Sequence, residues 1–150
     1  IVYKATVGAK TVAVKRFKVH PNVAGFIGSI GEVDMVTRLA PLNCTPQLIA
    51  IERVCPFDQQ ISPIGNGLVD DSVSVITEYA SEGNLGTCIE RRSLDTMDIK
   101  RLVVDIIIAM HKIHSCGIIH RDVKTDNILI NKVNQVCVPL FCDFGQSCFE

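Results

Sequence analysis

His120-Arg121-Asp122-Val123-Lys124-Thr125-Asp126-Asn127 stands between a long apolar-periodic segment and a short apolar run, Ile128 to Ile130. Five of its residues fall in the order H-R-D-x-K-x-x-N. Chance would place such a set in a chain of 150 residues with a probability on the order of one in ten thousand or less. The residue types already outline a site. An aspartate can accept or orient a proton, a lysine two positions later can neutralise developing negative charge, and an asparagine oxygen suits a hard cation.

Reading outward, Val136 to Cys142 forms another short apolar run and leads into Asp143-Phe144-Gly145. On the other side, Ile99, Leu102, Val103, Ile106, Ala109, Met110 and Ile113 recur at helical spacing, which predicts a helix over 96–115 stopped by Gly117. Further upstream, Leu48 to Val54 and Ser72 to Tyr79 read as strands, and the Pro-, Gly- and Asp-rich segment between them as a long exposed loop. Phe26, Ile27, Ile30, Val33, Val36 and Leu39 predict a helix of about four turns between the His20-Pro21-Asn22 breaker and Pro41. Residues 1–19 alternate apolar and polar around Gly8-Ala9-Lys10, as a hairpin does. Strands first and a long helix afterwards make this an α+β chain.

Composition narrows the class. A 47% apolar share is high for a chain of this size, and a net charge of −1 without a basic face argues against nucleic acid as a partner. The seven cysteines are scattered and never form a CxxC pair, which fits reduced intracellular thiols rather than a disulfide framework or a zinc site. Asp105 interrupts the most apolar stretch, so no membrane segment is expected in this chain. His111 and His114 share the long helix without metal-ligand spacing.

The H-R-D-x-K-x-x-N run resembles the catalytic loop of eukaryotic-type protein kinases, and other landmarks of that family follow in its order. Val12-Ala13-Val14-Lys15 looks like the strand bearing the phosphate-holding lysine, and Glu32 lies on the next helix. Thr77-Glu78-Tyr79-Ala80 resembles the hinge, and Asp143-Phe144-Gly145 comes after the catalytic loop. The resemblance implies a two-lobe fold, with an antiparallel sheet and one helix over 1–80 and the start of a mainly helical lobe over 81–150. It also implies ATP-dependent phosphoryl transfer with Mg²⁺. In this reading Lys15, paired with Glu32, contacts the α- and β-phosphates, and Asp143 and Asn127 hold the metal. Asp122 orients the acceptor hydroxyl and Lys124 neutralises the transferred phosphate. Val2, Ala13 and Leu129 are expected to sandwich the adenine, Glu78 and Ala80 to bond its edge through their backbone, and Thr77 to stand as a small gatekeeper. Val36, Ile51, His120 and Phe144 are expected to stack between the lobes, and Arg121 to pair with an activation-loop phosphate.

Lys124 is similar to the lysine of serine/threonine kinases, so a protein substrate with a Ser/Thr acceptor is expected. The stretch GIIHRDVKTDNILI with a small gatekeeper looks most like the tyrosine-kinase-like branch. The family pattern extends past both ends, with its glycine-rich loop ahead of Ile1 and its substrate-binding helices after Glu150. The chain therefore reads as a fragment, truncated at both ends and weakly active or inactive alone. A cytoplasmic setting is expected, though the kinase domain of a membrane receptor would read the same way. A pseudokinase scaffold would share the fold without turnover. Two further features stand out. Gly25, Gly28 and Gly31 weaken the helix ahead of Glu32, either to let it swing or to allow close packing. Cys142 is read as a buried, inert thiol, with activation by the neighbouring cations as the alternative.

Overall fold

Alternating β-branched residues place β1 (Val2–Val7) and β2 (Lys10–Lys18) in an antiparallel hairpin, turned at Gly8 with φ +59°. The computed structural model describes the backbone of residues 2–18, 23–54 and 72–150, and among these the side chains of all but 18, 23–30, 53 and 54. The His20-Pro21-Asn22 breaker and the loop read at 55–71 lie outside the described residues.

β2 pairs with β4 (Ser72–Glu78), and β4 with β3 (Leu48–Val54), which gives an antiparallel sheet of order β1-β2-β4-β3. Val12, Val14 and Ile76 form a small buried cluster on one face. α1 (Val23–Leu39) spans 17 residues and buries Met35 and Leu39. A 3-10 turn over Ala40–Leu42 contains Pro41 and ends at Asn43 in the left-handed region, φ 52°. Proline lacks the N–H that another helical turn would need, so the helix stops where the sequence indicated.

The second part of the chain is built on α3 (Thr96–Ser115), whose bounds match those read from the sequence. Asp95 and Asp98 form a reciprocal cap, in which Asp95 Oδ1 accepts from the Asp98 N–H at 2.7 Å. Gly117 ends the helix at φ +68°. α2 (Leu85–Glu90), β5 (Gly83–Asn84) and β9 (Cys148–Phe149) were not read from the sequence, because elements of two to six residues carry no measurable period, whereas β6 (Ile118–Ile119) falls on a short apolar run. β7 (Ile128–Val133) and β8 (Val136–Phe141) form a hairpin across Asn134-Gln135, both at positive φ.

Leu102, Ala109 and Ile113 of α3 pack with Ile118, Ile128, Ile130, Phe141 and Phe144 in the main core, which Met35 and Leu39 of α1 also join. Two main-chain acceptors tie the segment after α1 to this core. Lys112 Nζ donates to the Leu42 carbonyl at 3.0 Å, and the Phe141 N–H to the Cys44 carbonyl at 2.8 Å. Ile99 and Val103, whose spacing helped to mark α3 in the sequence, are exposed together with Val104, Ile107 and Ile108. The apolar surface of α3 is wider than the stripe that the described residues cover.

Candidate active site

The period of two along β2 sends Val12 and Val14 into the sheet cluster and Ala13 and Lys15 to the opposite face. Their cross-strand partners Thr77 and Val75 share that second face, and all four line one cavity of about 520 Å³. Val2 and Leu129 close its apolar sides, while Asn127 and Asp143 add polar groups. This is the size and chemistry of a small-ligand cleft. Thr45, Asn84, Asp126 and Phe141 also line it, although sequence reasoning assigned them no part. Asp126, inside the catalytic-loop run, and Phe141, near the end of the apolar run before Asp143, lay next to a readable signal.

Lys15 Nζ bonds Glu32 Oε1 on α1 and Asp143 Oδ1 at 2.7 Å. Burial works to lower the Lys15 pKa, but the two carboxylates outweigh it and the ammonium is held above its ordinary value. The bond from Lys15 holds Asp143 below the usual carboxylate range. Glu32 is 6% exposed, and its burial pushes the carboxyl up against the pull of the adjacent ammonium. Asp143 takes left-handed dihedrals, φ 63° and ψ 68°, and the ring of its neighbour Phe144, 2% exposed, has its centroid 4.7 Å from that of His120.

His120 is buried and structural. Its Nε2 faces the Cys142 carbonyl at 3.0 Å, so the proton sits on Nε2, and its Nδ1 accepts the Asp122 N–H at 3.3 Å. A ring bonded this way is neutral and aims the main chain of Asp122. Asp122 Oδ2 accepts from Lys124 Nζ at 2.7 Å and from Asn127 Nδ2 at 2.9 Å. The Lys124 bond holds Asp122 below the usual carboxylate range, and the same bond raises Lys124. The amide nitrogen of Asn127 is committed to Asp122, which leaves its oxygen to serve a cation. Asn127 and Asp143 thus offer oxygen donors to one cavity, a set that fits Mg²⁺ with its remaining ligands from phosphate and water. Among the described residues no cluster of three or more His, Cys, Asp or Glu side chains could hold a metal by itself.

Glu78 and Ala80 lie beside the cavity without lining it. The Glu78 N–H is taken by the Gln47 carbonyl at 2.9 Å, and the Ala80 carbonyl accepts from Gly83 at 3.5 Å. Val36 packs against the core containing Phe144, but Ile51 is 44% exposed on the edge strand β3, outside the buried clusters. The expected stack therefore lacks Ile51 here, since an edge strand is covered on one side only. Arg121 Nε donates to the Gln146 carbonyl, immediately past Asp143-Phe144-Gly145. A Cβ built on Gly31 would meet nothing within 4 Å, so close packing does not explain that glycine.

Burial, with the charge of Asp143, pushes the Cys142 thiol up to about 11. The inert reading of Cys142 therefore stands over the activated one. At pH 8, iodoacetamide is expected to modify Cys142 at least tenfold more slowly than the exposed Cys116 in the full-length protein, as read by peptide mass spectrometry. Equal rates would show that the thiolate forms readily.

A sheet and helix joined by a lysine–glutamate pair, facing an aspartate-lysine-asparagine loop across a ligand-sized cleft, is the architecture of the two-lobed kinase-like class. Sequence comparison agrees: the protein kinase domain family matches residues 1–149, and the chain belongs to that family. It is 43% identical over 79 residues to the serine/threonine/tyrosine-protein kinase HT1 of Arabidopsis thaliana, covering 51% of this chain and 20% of that protein. With NUAK family SNF1-like kinase 2 of Rattus norvegicus it shares 37% over 103 residues, 68% of this chain and 14% of the relative. With the probable serine/threonine-protein kinase gdt8 of Dictyostelium discoideum it shares 29% over 150 residues, 97% and 10% respectively. The chain spans a fifth or less of the length of these relatives. Among the described residues no helix is long and apolar enough to cross a membrane.

Proposed function

We propose that this chain is the nucleotide-binding and catalytic-loop portion of a serine/threonine protein kinase, with residues 1–80 as the sheet-bearing lobe and 81–150 as the start of the other. The observation that carries the reading is the single cleft lined by Val2, Ala13 and Leu129 together with Lys15, Asn127 and Asp143. In this reading adenine lies between Val2, Ala13 and Leu129, beside Thr77 and the main chain of Glu78 and Ala80. Lys15, fixed by Glu32, holds the α- and β-phosphates. Asn127 and Asp143 would hold Mg²⁺, which would supply charge neutralisation at the phosphates.

Asp122 orients the acceptor hydroxyl and receives its proton. Lys124, already bonded to Asp122, offsets charge on the group in transit. Lys124 two positions after Asp122 and the name of the gdt8 relative favour serine or threonine as the acceptor, while the name of HT1 adds tyrosine. The free thiols fit a reducing, intracellular setting.

The test is a radiolabelled transfer assay with ATP and Mg²⁺ on the full-length protein, offering serine, threonine and tyrosine peptides and small-molecule acceptors. Label on serine and threonine peptides is expected. Label confined to a small molecule would overturn the substrate class, and nucleotide binding without any transfer would mark a pseudokinase.

A further inference from the structure

A second cavity of about 260 Å³ adjoins the first, with which it shares Thr45. Its polar wall is formed by Asn43, Thr45, Gln47, Glu78 and Asn131. Val133, Val138 and Leu140 of the β7–β8 hairpin make the apolar wall. Three carboxamides, a hydroxyl and one carboxylate line it, and no cation among the described residues does.

One of these groups has unmet capacity. Among the described residues Glu78 forms no ion pair, and its carboxylate accepts one long bond, from the Gln47 N–H at 3.2 Å.

We propose that this second cavity is a docking pocket for an arginine side chain of a peptide or protein partner. A guanidinium carries five N–H donors and no acceptor, which matches a wall of Glu78 and carboxamide oxygens. Its aliphatic stem would lie along Val133, Val138 and Leu140, as long cationic side chains do on apolar surface. The volume suits one side chain, being below the range of about 300–1,000 Å³ typical of whole-ligand pockets. Charge complementarity selects a cation over an anion.

The experiment uses the full-length protein labelled at Val and Leu methyls, titrated with acetyl-arginine-methylamide and, in parallel, with its neutral isostere acetyl-citrulline-methylamide. Methyl shifts are expected at Val133, Val138 and Leu140, with at least tenfold weaker binding of citrulline and of arginine to a Glu78→Gln variant. Val133→Phe, at the partly exposed rim, is expected to weaken arginine binding while leaving the Glu78 carboxylate in place. Equal affinity for the two probes, unchanged binding in Glu78→Gln, or no shift at these methyls up to 20 mM arginine probe would each overturn the proposal. Because the readout is binding, it is independent of whether the first cavity turns over ATP.

Discussion

Asp122→Asn in the full-length protein is expected to lower kcat for peptide phosphorylation by about 10² to 10⁴, the range ascribed to a positioned acid or base. Apparent ATP affinity is expected to change less than threefold, because Asp122 does not line the nucleotide cleft. Asparagine has nearly the same shape and keeps an oxygen for Lys124 Nζ, now 2.7 Å from Asp122 Oδ2, so the loop stays folded. What it loses is the negative charge that, in the proposed mechanism, receives the acceptor's proton. The Lys124 bond keeps Asp122 below the ordinary carboxylate range, so the wild-type residue stays ionised between about pH 5 and 8 and imposes no acid limb there. Turnover by the variant within threefold of wild type would remove Asp122 from the chemistry.

Lys15→Met should cost both activity and stability, and the two losses should separate. Removing a cation aimed at the phosphates is expected to reduce kcat/KM by at least 10². It also leaves Glu32, 6% exposed, without its counter-charge. Breaking a fully buried pair costs roughly 3–5 kcal/mol; Lys15 keeps 27% exposure, so about 1–3 kcal/mol is expected. The pH dependence follows from the direction of the Glu32 shift. Burial already raises its folded pKa, and loss of Lys15 removes what opposes that rise. A carboxyl raised in the fold favours folding below its unfolded value, near 4.3, and that advantage disappears as pH climbs through the folded value. The destabilisation relative to wild type should therefore be larger at pH 8 than at pH 5 in thermal unfolding of the full-length protein. Adding Glu32→Gln should recover stability at pH 8 and leave activity lost. Recovered activity in the double variant would show that Lys15 acts only through packing.

Much of the scaffold was legible because its elements are long and periodic. α3 was bounded correctly, and Asp95, Asp98 and Gly117 supply the physical stops. The strand bearing Lys15 and the helix bearing Glu32 were also readable. α2 was not: its six residues are too few for a helical period, and Gly86 in its first turn masks the Asn84 cap, whose Oδ1 accepts from Thr87 at 2.7 Å. Ile51, expected in the stack from the family resemblance, is 44% exposed, because likeness of local sequence does not tell what covers a strand.

The order of residues from His120 to Asn127 determined by itself which side chains could do chemistry, since Asp122, Lys124 and Asn127 are close along one loop. The tertiary structure alone decided which distant groups meet them. Lys15 and Asp143 are 128 positions apart, and their contact at 2.7 Å exists because β2, α1 and the turn at Phe144 converge on one cavity. It also decided protonation. The proton on His120 Nε2 and the raised Cys142 thiol follow from burial and from which carbonyl or carboxylate lies beside each, and neighbours brought in by folding cannot be read from local sequence.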